Sequence, residues 1–467
     1  MPSILVCGGG PIGLVAALML ARDGHDVTVL EADHEPEPGT AAEAWEDWRR
    51  PGVAQFHQPH ALLSRFREVC REELPDVLDR LLAAGCAEIA LLTRLPPTIT
   101  DQTPREGDER LRVLAGRRPV IENVIAGAAA EQRGLAVRRG VKVAALLPGP
   151  FAIPGVPHAS GAVTTDGEQL PADLVIDASG RRTASARWLA GLNARAPVIE
   201  ASDRSFTYYS RFFTGGGPRP LRRPAFISMG SMGLLALEGD AGTWSLTLFT
   251  RSADLPLKTL RCAEVFDRVV RACPVPDPMA DGEPITDVLP MAGVLNTLRR
   301  FVVDGRPVVT GFAALADAWA CTNPTGGRGL SVGLLHAQTL RRVARAHVDD
   351  PAAFADAWHR ATEVVVTPFF RVQEQRDRQA MAEMTAAADG VEPPPPDPLT
   401  ARFEVAAWRD ADVFRSALEI GMCLASVPEV LARPLIRQRM AELGSTGDEP
   451  GAAPGPDRAE LLRLLAI

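Results

Sequence analysis

The first thirty residues alternate between apolar runs and short polar or glycine-rich breaks. Residues 4–7 are apolar, as expected for a short strand buried on both faces of a parallel sheet. Apolar residues then recur at helical spacing from Leu14 to Ala21, and Gly24 follows as a helix end. A second apolar run ends at Glu31. The pattern predicts a strand–helix–strand unit.

The hydrophobic pattern changes character twice further along the chain. Residues 62–85 predict two helices separated near Pro75, whereas residues 190–287 contain short alternating runs that are typical of an antiparallel sheet. Helical spacing returns at residues 327–347 and dominates to the end, with a stiff proline-rich linker at residues 392–398. The predicted fold class is α/β: a doubly wound, Rossmann-like domain with an inserted antiparallel β-sheet and a helical C-terminal region.

Three glycines give the first unit its chemistry. Gly8, Gly10 and Gly13 form G-x-G-x-x-G between the predicted strand and helix. One glycine permits the tight turn, one lets the backbone approach a pyrophosphate, and one lets helix and strand pack closely. The helix N-terminus favours the negative pyrophosphate, and Glu31 lies where an acid accepts from ribose hydroxyls. The sequence therefore predicts a dinucleotide site, whereas glycines and the lack of a basic start argue against a signal peptide.

Composition narrows the class of protein. The 467 residues correspond to two or three domains, with 46% hydrophobic and 23% charged residues as in soluble globular proteins. The net charge of -8 and the scattered arginines argue against nucleic acid as a partner. The sequence has no apolar stretch long enough to predict a membrane span. Seven cysteines without a C-x-x-C pair predict reduced thiols, a cytoplasmic location and no metal site.

Two later motifs extend the nucleotide site. Residues 174–177 predict a buried strand that the sequence ASG closes in a tight turn. Asp317 follows another apolar run, and residues 324–329, PTGGRG, open a helix near Leu330. The nucleotide-binding segments are thus interrupted by the sheet and resume near Val308, an arrangement that favours an FAD-binding fold.

At these motifs the chain resembles the FAD-dependent monooxygenases of the para-hydroxybenzoate hydroxylase type. The resemblance implies that Glu31 holds the adenosine ribose and that Asp317 binds the ribityl chain. Arg50 matches the arginine of an arginine–glycine element that lies beside the FAD in this family. Arg118 matches the arginine of the family's arginine-x-x-apolar-glutamate pattern, with which a helix starts. The resemblance implies FAD contacts at Gly8, Gly10, Pro11, Ile12, Gly13, Glu31, Ala32, Arg50, Arg118, Val143, Asp317, Pro324, Gly327, Gly329 and Leu330.

The same resemblance implies a division of the chain into three kinds of segment. The FAD-binding parts are expected at residues 1–80, 105–189 and 295–345. The substrate domain is expected at residues 81–104 and 190–294, and a helical C-terminal region at residues 346–467.

The implied activity is insertion of one oxygen atom from O2, through a flavin C4a-hydroperoxide, into a small aromatic or polyketide-like substrate. NADPH or NADH is the implied electron donor. Two positions depart from the family: Ala316 replaces a glycine, and Ser179 replaces the aspartate of an aspartate–glycine pair linked to NADPH contacts. The change at Ser179 leaves a separate flavin reductase as an alternative donor. We expect no nucleic-acid partner, and a monomer or a homodimer.

Rival functions share the same FAD motifs. A reductase or dehydrogenase acting on a C=C bond is one, and a non-catalytic flavin-binding module is another. Flavin-dependent halogenases use a lysine between flavin and substrate and a W-x-W-x-I-P motif. The sequence contains only Lys142 and Lys258, and Trp45 and Trp48 are spaced by three residues with no Ile-Pro after them. These features favour the monooxygenase.

The candidate catalytic residues are His57, His60 and Trp319. The histidines follow Arg50 closely, and an imidazole there could act as an acid, a base or a substrate hydrogen-bond partner. The alternative is that both histidines bond a loop backbone and that the tryptophan simply packs. Arg211 lies on a predicted strand, where a solvated edge charge is the expected role.

Overall fold

The computed structural model describes residues 2–93, 95–215, 225–274, 282–444 and 455–466. The strands are β1 Ser3–Cys7, β2 Asp26–Glu31, β3 Pro59–Leu62, β4 Ala87–Ala90, β5 Arg112–Arg117, β6 Leu135–Arg139, β7 Val143–Ile153, β8 Val156–Thr164, β9 Gln169–Pro171, β10 Leu174–Asp177, β11 Val198–Ala201, β12 Phe206–Thr214, β13 Ala225–Ser228, β14 Met232–Glu238, β15 Trp244–Arg251, β16 Glu283–Pro284, β17 Leu289–Ala292, β18 Thr297–Arg300, β19 Val302–Val303, β20 Arg306–Pro307, β21 Phe312–Ala314 and β22 Ala320–Cys321. The helices are α1 Pro11–Arg22, α2 Ala41–Glu46, α3 Ser64–Glu73, α4 Pro75–Ala83, α5 Arg118–Glu131, α6 Ser185–Gly191, α7 Ala263–Arg271, α8 Gly329–His347, α9 Pro351–Val365, α10 Thr367–Asp389, α11 Pro398–Ala407, α12 Ala411–Gly421, α13 Val427–Ala432, α14 Pro434–Leu443 and α15 Arg458–Leu465.

A five-stranded parallel sheet forms the centre of the nucleotide-binding part. Its strand order is β21-β10-β1-β2-β6, so segments far apart in sequence become neighbours. Ile4 of β1 pairs with Leu174 on one side and with Val27 on the other. All four residues of β10 are buried, because helices cover one face of the sheet and strands β7 and β8 pack against the other. The predicted α/β, Rossmann-like fold class is confirmed.

Helix α1 lies against this sheet and is buried from Pro11 to Ala21. Pro11 is tolerated at the first helical position because its missing N–H would have no helical partner there. The helix ends at Arg22, and Gly24 then adopts a φ of +90°. Helix α8 packs against α1, and their side chains share one hydrophobic core with α3, α5 and α9. The last third of the chain therefore completes the domain that the first residues begin.

A second, mainly antiparallel sheet carries the inserted domain. Its order is β13-β14-β15-β12-β16, with β17 also paired to β12, which confirms the predicted antiparallel sheet. Tyr208 and Tyr209 point to opposite faces, because side chains alternate along a strand. Tyr208 packs with Phe249, whereas Tyr209 belongs to the core beneath α7. The solvated role expected for Arg211 is wrong: its side chain is buried and pairs with Asp267 at 2.6 Å.

The C-terminal region is helical, as predicted. Helix α10 packs on the inserted sheet through Met381 and Met384. Helices α11 to α14 form a separate small core that includes Val413, Val430 and Ile436. The proline-rich residues 392–397 connect α10 to α11 in non-helical conformation. Among the described residues, no helix combines the length and the apolar character that crossing a membrane requires.

Candidate active site

The glycine-rich turn between β1 and α1 is too tight for side chains at two positions. Gly8 has a φ of +120°, and a Cβ there would collide with the backbone of Ala178. A Cβ on Gly13 would collide with the carbonyl oxygen of Gly8. Gly10 differs, because no described residue other than its two chain neighbours has a heavy atom within 4 Å of the position its Cβ would take. The turn therefore leaves open space beside Gly10, where a phosphate group could approach the backbone.

That open space belongs to a cavity of about 2180 Å³. Single small-molecule sites occupy roughly 300–1,000 Å³, so the cavity has room for a dinucleotide and a second ligand. All fifteen residues that the sequence analysis assigns to FAD line its wall: Gly8, Gly10, Pro11, Ile12, Gly13, Glu31, Ala32, Arg50, Arg118, Val143, Asp317, Pro324, Gly327, Gly329 and Leu330.

A buried network of charges connects the first motif to α5. Glu31 accepts hydrogen bonds from the Gly9 N–H at 2.8 Å and from Arg50 Nη2 at 2.6 Å. Arg50 also bonds Glu122 through Nη1 at 2.6 Å and Asp33 through Nε at 3.0 Å. Burial acts to lower the pKa of Arg50, but the carboxylates of Glu122 and Glu31 raise it above its usual value. Arg50 therefore stays a cation and fixes the position of Glu31 at the end of β2.

Of the two candidate histidines, His60 reaches the cavity. Its Nδ1 lies 2.9 Å from the Gln58 carbonyl oxygen, and its Nε2 lies 3.1 Å from Arg118 Nη1. Since Arg118 only donates, Nε2 must accept and Nδ1 carries the proton. Burial and the charge of Arg118 lower the pKa of His60 to about 3. A neutral His60 holds Arg118, which bonds Glu122 as well.

The structure does not bring His57 or Trp319 to the wall of this cavity. The His57 ring packs edge-on to Trp45 and Phe56, with ring centroids 5.6 Å and 5.1 Å away. Trp319 is buried against His336 at 5.2 Å. Both residues therefore have packing neighbours that account for their positions.

The turn after β21 carries Asp317. Ala316 adopts a φ of +51°, a conformation that favours glycine, and its N–H donates to His336 Nδ1 at 3.1 Å. His336 stacks on Trp358, and burial lowers the pKa of His336 to about 3. Burial also raises the pKa of Asp317, against the opposite effect of Arg118. The Asp317 carboxylate makes no hydrogen bond to another described residue and lines the cavity.

A second buried network holds the loop of residues 324–329. Asp377 of α10 accepts hydrogen bonds from Thr325 Oγ1 at 2.6 Å, from Asn296 Nδ2 at 2.7 Å and from Gln373 Nε2 at 2.8 Å. Burial raises the pKa of Asp377, whereas these three hydrogen bonds lower it. No local motif in the sequence predicts this network, because α10 bonds a loop about fifty residues earlier in the chain.

The serine that replaces the family aspartate turns towards the sheet. Ser179 Oγ donates to Asp177 at 2.5 Å, and the Ser179 N–H donates to the same carboxylate at 3.0 Å. Thr183 also donates to Asp177, which is fully buried, and burial raises the pKa of Asp177. The side chain of Ser179 therefore stabilises its own turn.

The same cavity also reaches the inserted sheet and the C-terminal helices, and we call this part the distal chamber. Side chains from the inserted sheet, from α10 to α13 and from residues 392–397 line it. Most of its lining is apolar: Phe226, Leu235, Leu237, Phe249, Met291, Val294, Met384, Phe403, Trp408, Phe414, Leu418, Ile420, Met422, Val427 and Leu431. No cluster of three or more potential metal ligands occurs in the described parts of the chain.

Comparisons with known proteins agree with this geometry. Residues 3–115 match the family model described as FAD dependent oxidoreductase. The chain is 27% identical over 371 residues to Protein Rv3254 of Mycobacterium tuberculosis (strain ATCC 25618 / H37Rv), covering 73% of each chain.

Two solved structures illustrate the shared fold. The flavin-dependent brominase Bmp2 has a TM-score of 0.60 and 16% identity, covering 94% of this chain and 98% of that chain. The p-nitrophenol 4-monooxygenase PnpA from Pseudomonas putida DLL-E4 has a TM-score of 0.55 and 17% identity, covering 95% and 98%. At these identities the likeness shows the fold.

Proposed function

We propose that this chain, a flavin-dependent oxidoreductase with the fold of the flavin monooxygenases, transfers one oxygen atom from O2 to a small aromatic or polyketide-like substrate. One observation carries the proposal: a single cavity joins the residues assigned to FAD to the distal chamber. A substrate in that chamber would lie beside the 324–329 loop. FAD, when bound, supplies the electrons and the O2 chemistry.

The residues at the first end of the cavity fit a dinucleotide. The space beside Gly10 and the N-terminus of α1 would take the pyrophosphate, because unpaired N–H groups and the helix dipole favour negative charge there. Glu31 would bind the adenosine ribose, with Arg50 fixing its carboxylate. The Asp317 carboxylate, which makes no hydrogen bond to another described residue, would accept from ribityl hydroxyls.

The residues at the other end fit the reactive ring. Gly329 and Leu330 line the cavity at the first turn of α8. This helix N-terminus would stabilise negative charge that develops on the reduced ring. Asp377 would keep the loop in place through Thr325, and the apolar walls of the distal chamber would exclude water from the reaction.

Oxygen transfer is tested by isotope labelling. FAD-loaded protein, chemically reduced and mixed with 18O2 and a panel of polycyclic aromatic compounds, should give a product that carries one 18O atom in mass spectrometry. A product reduced at a C=C bond without 18O would instead assign the chain to the reductases.

The same assay also tests for halogenation. A halogenase would give a brominated product when bromide is added. The positions of the two lysines argue against it. Lys142 lies beside Val143 at the Glu31 end of the cavity, and Lys258 does not line the cavity. A lysine between flavin and substrate is therefore not supplied by either position.

We propose NADPH or NADH as the electron donor, with a flavin reductase as the alternative because Ser179 replaces the family aspartate. Anaerobic mixing of the FAD-loaded protein with NADPH, and separately with NADH, tests this point. Rapid loss of the oxidised flavin absorbance, followed by recovery with O2, is the expected result. No loss with either nucleotide would point to a reductase partner.

A further inference from the structure

One arginine on the wall of the distal chamber has no ion pair. Arg376 lines the chamber from α10, and no hydrogen bond or ion pair joins it to another described residue. Its neighbours on the same helix differ, because Arg371 and Arg378 both pair with Glu374. A guanidinium stays charged at neutral pH, so Arg376 presents an unpaired positive charge to the chamber.

A second arginine lies behind it. Arg328 is only 1% exposed, its Nη1 lies 3.5 Å from Cys423 Sγ, and its Nε and Nη2 have no partner among the described residues. Burial and the charge of Arg328 lower the pKa of Arg376 to about 10, against the opposite effect of Glu404 and Asp377. The oxygens of Asp377 are already bonded to Thr325, Asn296 and Gln373. Arg328 has no ion pair among the described residues, so its charge adds to that of the exposed Arg376 and favours an anion beside Arg376.

The rest of the chamber indicates what else that ligand carries. Aromatic and aliphatic side chains from the sheet and from α11 to α13 form most of its walls, for example Phe249, Phe403 and Trp408, and the carboxylates of Glu383, Glu392, Asp397 and Glu404 also line it. Such walls bind an apolar body, whereas a single unpaired guanidinium binds and orients one anionic group. Arg376 is also adjacent to Asp377, which bonds the 324–329 loop. A group bound at Arg376 would therefore lie in the same cavity as the 324–329 loop.

We infer that the distal chamber binds an organic acid, with its carboxylate paired to Arg376 and its apolar body among the aromatic and aliphatic walls. This inference rests on the proposed function, for which it names the substrate class.

The test uses FAD-loaded protein and two probes of nearly equal size, 2-naphthoate and its neutral analogue 2-naphthamide, in calorimetric titrations. The acid should bind the wild type about tenfold more tightly than the amide, as expected for a charge-assisted pair. Arg376→Gln should remove this preference by weakening the acid alone. Arg376→Lys should retain part of it. The control Arg371→Gln removes the same charge from the same helix at a residue that does not line the cavity, and should leave the preference unchanged.

The inference is overturned if the wild type binds the acid and the amide equally or binds neither. It is also overturned if the two glutamine variants lose the same affinity for the acid. Loss of the preference in equimolar sodium bromide would assign Arg376 to a small inorganic anion and would also overturn it. If the protein prefers the acid through Arg376 but transfers 18O to no compound, this inference holds and the proposed monooxygenase activity is contradicted. If the protein transfers 18O but shows no preference for acids, the proposed monooxygenase activity holds and this inference is contradicted.

Discussion

Ala316 adopts a backbone conformation that is unfavourable for any residue with a side chain. Its φ of +51° lies in the left-handed region, where a Cβ costs about 1 kcal/mol. The hydrogen bond from its N–H to His336 and the adjoining Asp317 explain why the turn keeps this shape. The family's glycine at this position has no such cost. Alanine at position 316 therefore lowers the stability of the protein more than it changes the shape of the turn.

Ala316→Gly should therefore stabilise the protein by up to about 1 kcal/mol in urea unfolding, with unchanged affinity for FAD. The matched control is Ala130→Gly on the exposed side of α5, which should lose about 1 kcal/mol. Equal losses in the two variants would show that residue 316 is not strained.

At the scale of secondary-structure elements, one buried ion pair fastens the inserted sheet to the nucleotide-binding part. Asp240, in the turn between β14 and β15, accepts from the Arg117 N–H at 2.7 Å and from Arg117 Nη2 at 2.5 Å. Both side chains are less than a tenth exposed, and the guanidinium lies 4.5 Å from the Trp45 ring centroid. The pair joins the β14–β15 turn to the junction of β5 and α5.

Asp240→Asn should lower the free energy of unfolding by about 3 kcal/mol, because it leaves the Arg117 charge buried without its partner. Chemical denaturation measures this change. Asp304→Asn is the control, since Asp304 pairs with Arg195 at a position that is 79% exposed and should be neutral. If the two variants were equally stable, the buried pair would not fasten the elements.

The sequence predicted those elements that depend on a few adjacent residues. It did not predict contacts between elements that are far apart along the chain. The G-x-G-x-x-G turn, the break at Pro75 and the start of α8 follow from a few adjacent residues. The bonding of Thr325 to Asp377 depends on how α10 crosses the loop, which periodicity does not encode. Periodicity likewise predicted that the C-terminal region is helical, but not that its helices line a chamber.

At the scale of the whole molecule, two buried imidazoles connect stability to pH. Burial lowers the pKa of both His60 and His336 from 6.5 to about 3. The unfolded chain takes up protons near pH 6.5, whereas the folded protein does so only near pH 3. The stability from each neutral histidine is therefore complete above pH 6.5 and is lost as pH falls from 6.5 towards 3.

His336→Gln, whose amide oxygen can still accept from the Ala316 N–H, should show a shallower loss of stability on acidification. The difference from the wild type should be about 1 kcal/mol per pH unit between pH 6.5 and about 5. Urea unfolding at a series of pH values measures both slopes. Parallel slopes would mean that His336 is already protonated in the folded protein.

The most direct measurement of the central claim is a titration with FAD of the wild type and of Gly10→Ala. Gly10 has a φ of -73° and open space at its Cβ position, so alanine should leave the stability of the FAD-free protein unchanged. The added methyl would occupy the space assigned to the pyrophosphate. The account predicts one FAD bound per wild-type chain and an affinity about tenfold or more lower in Gly10→Ala. Equal affinity in the two proteins, or a wild type that takes up no FAD, would contradict it.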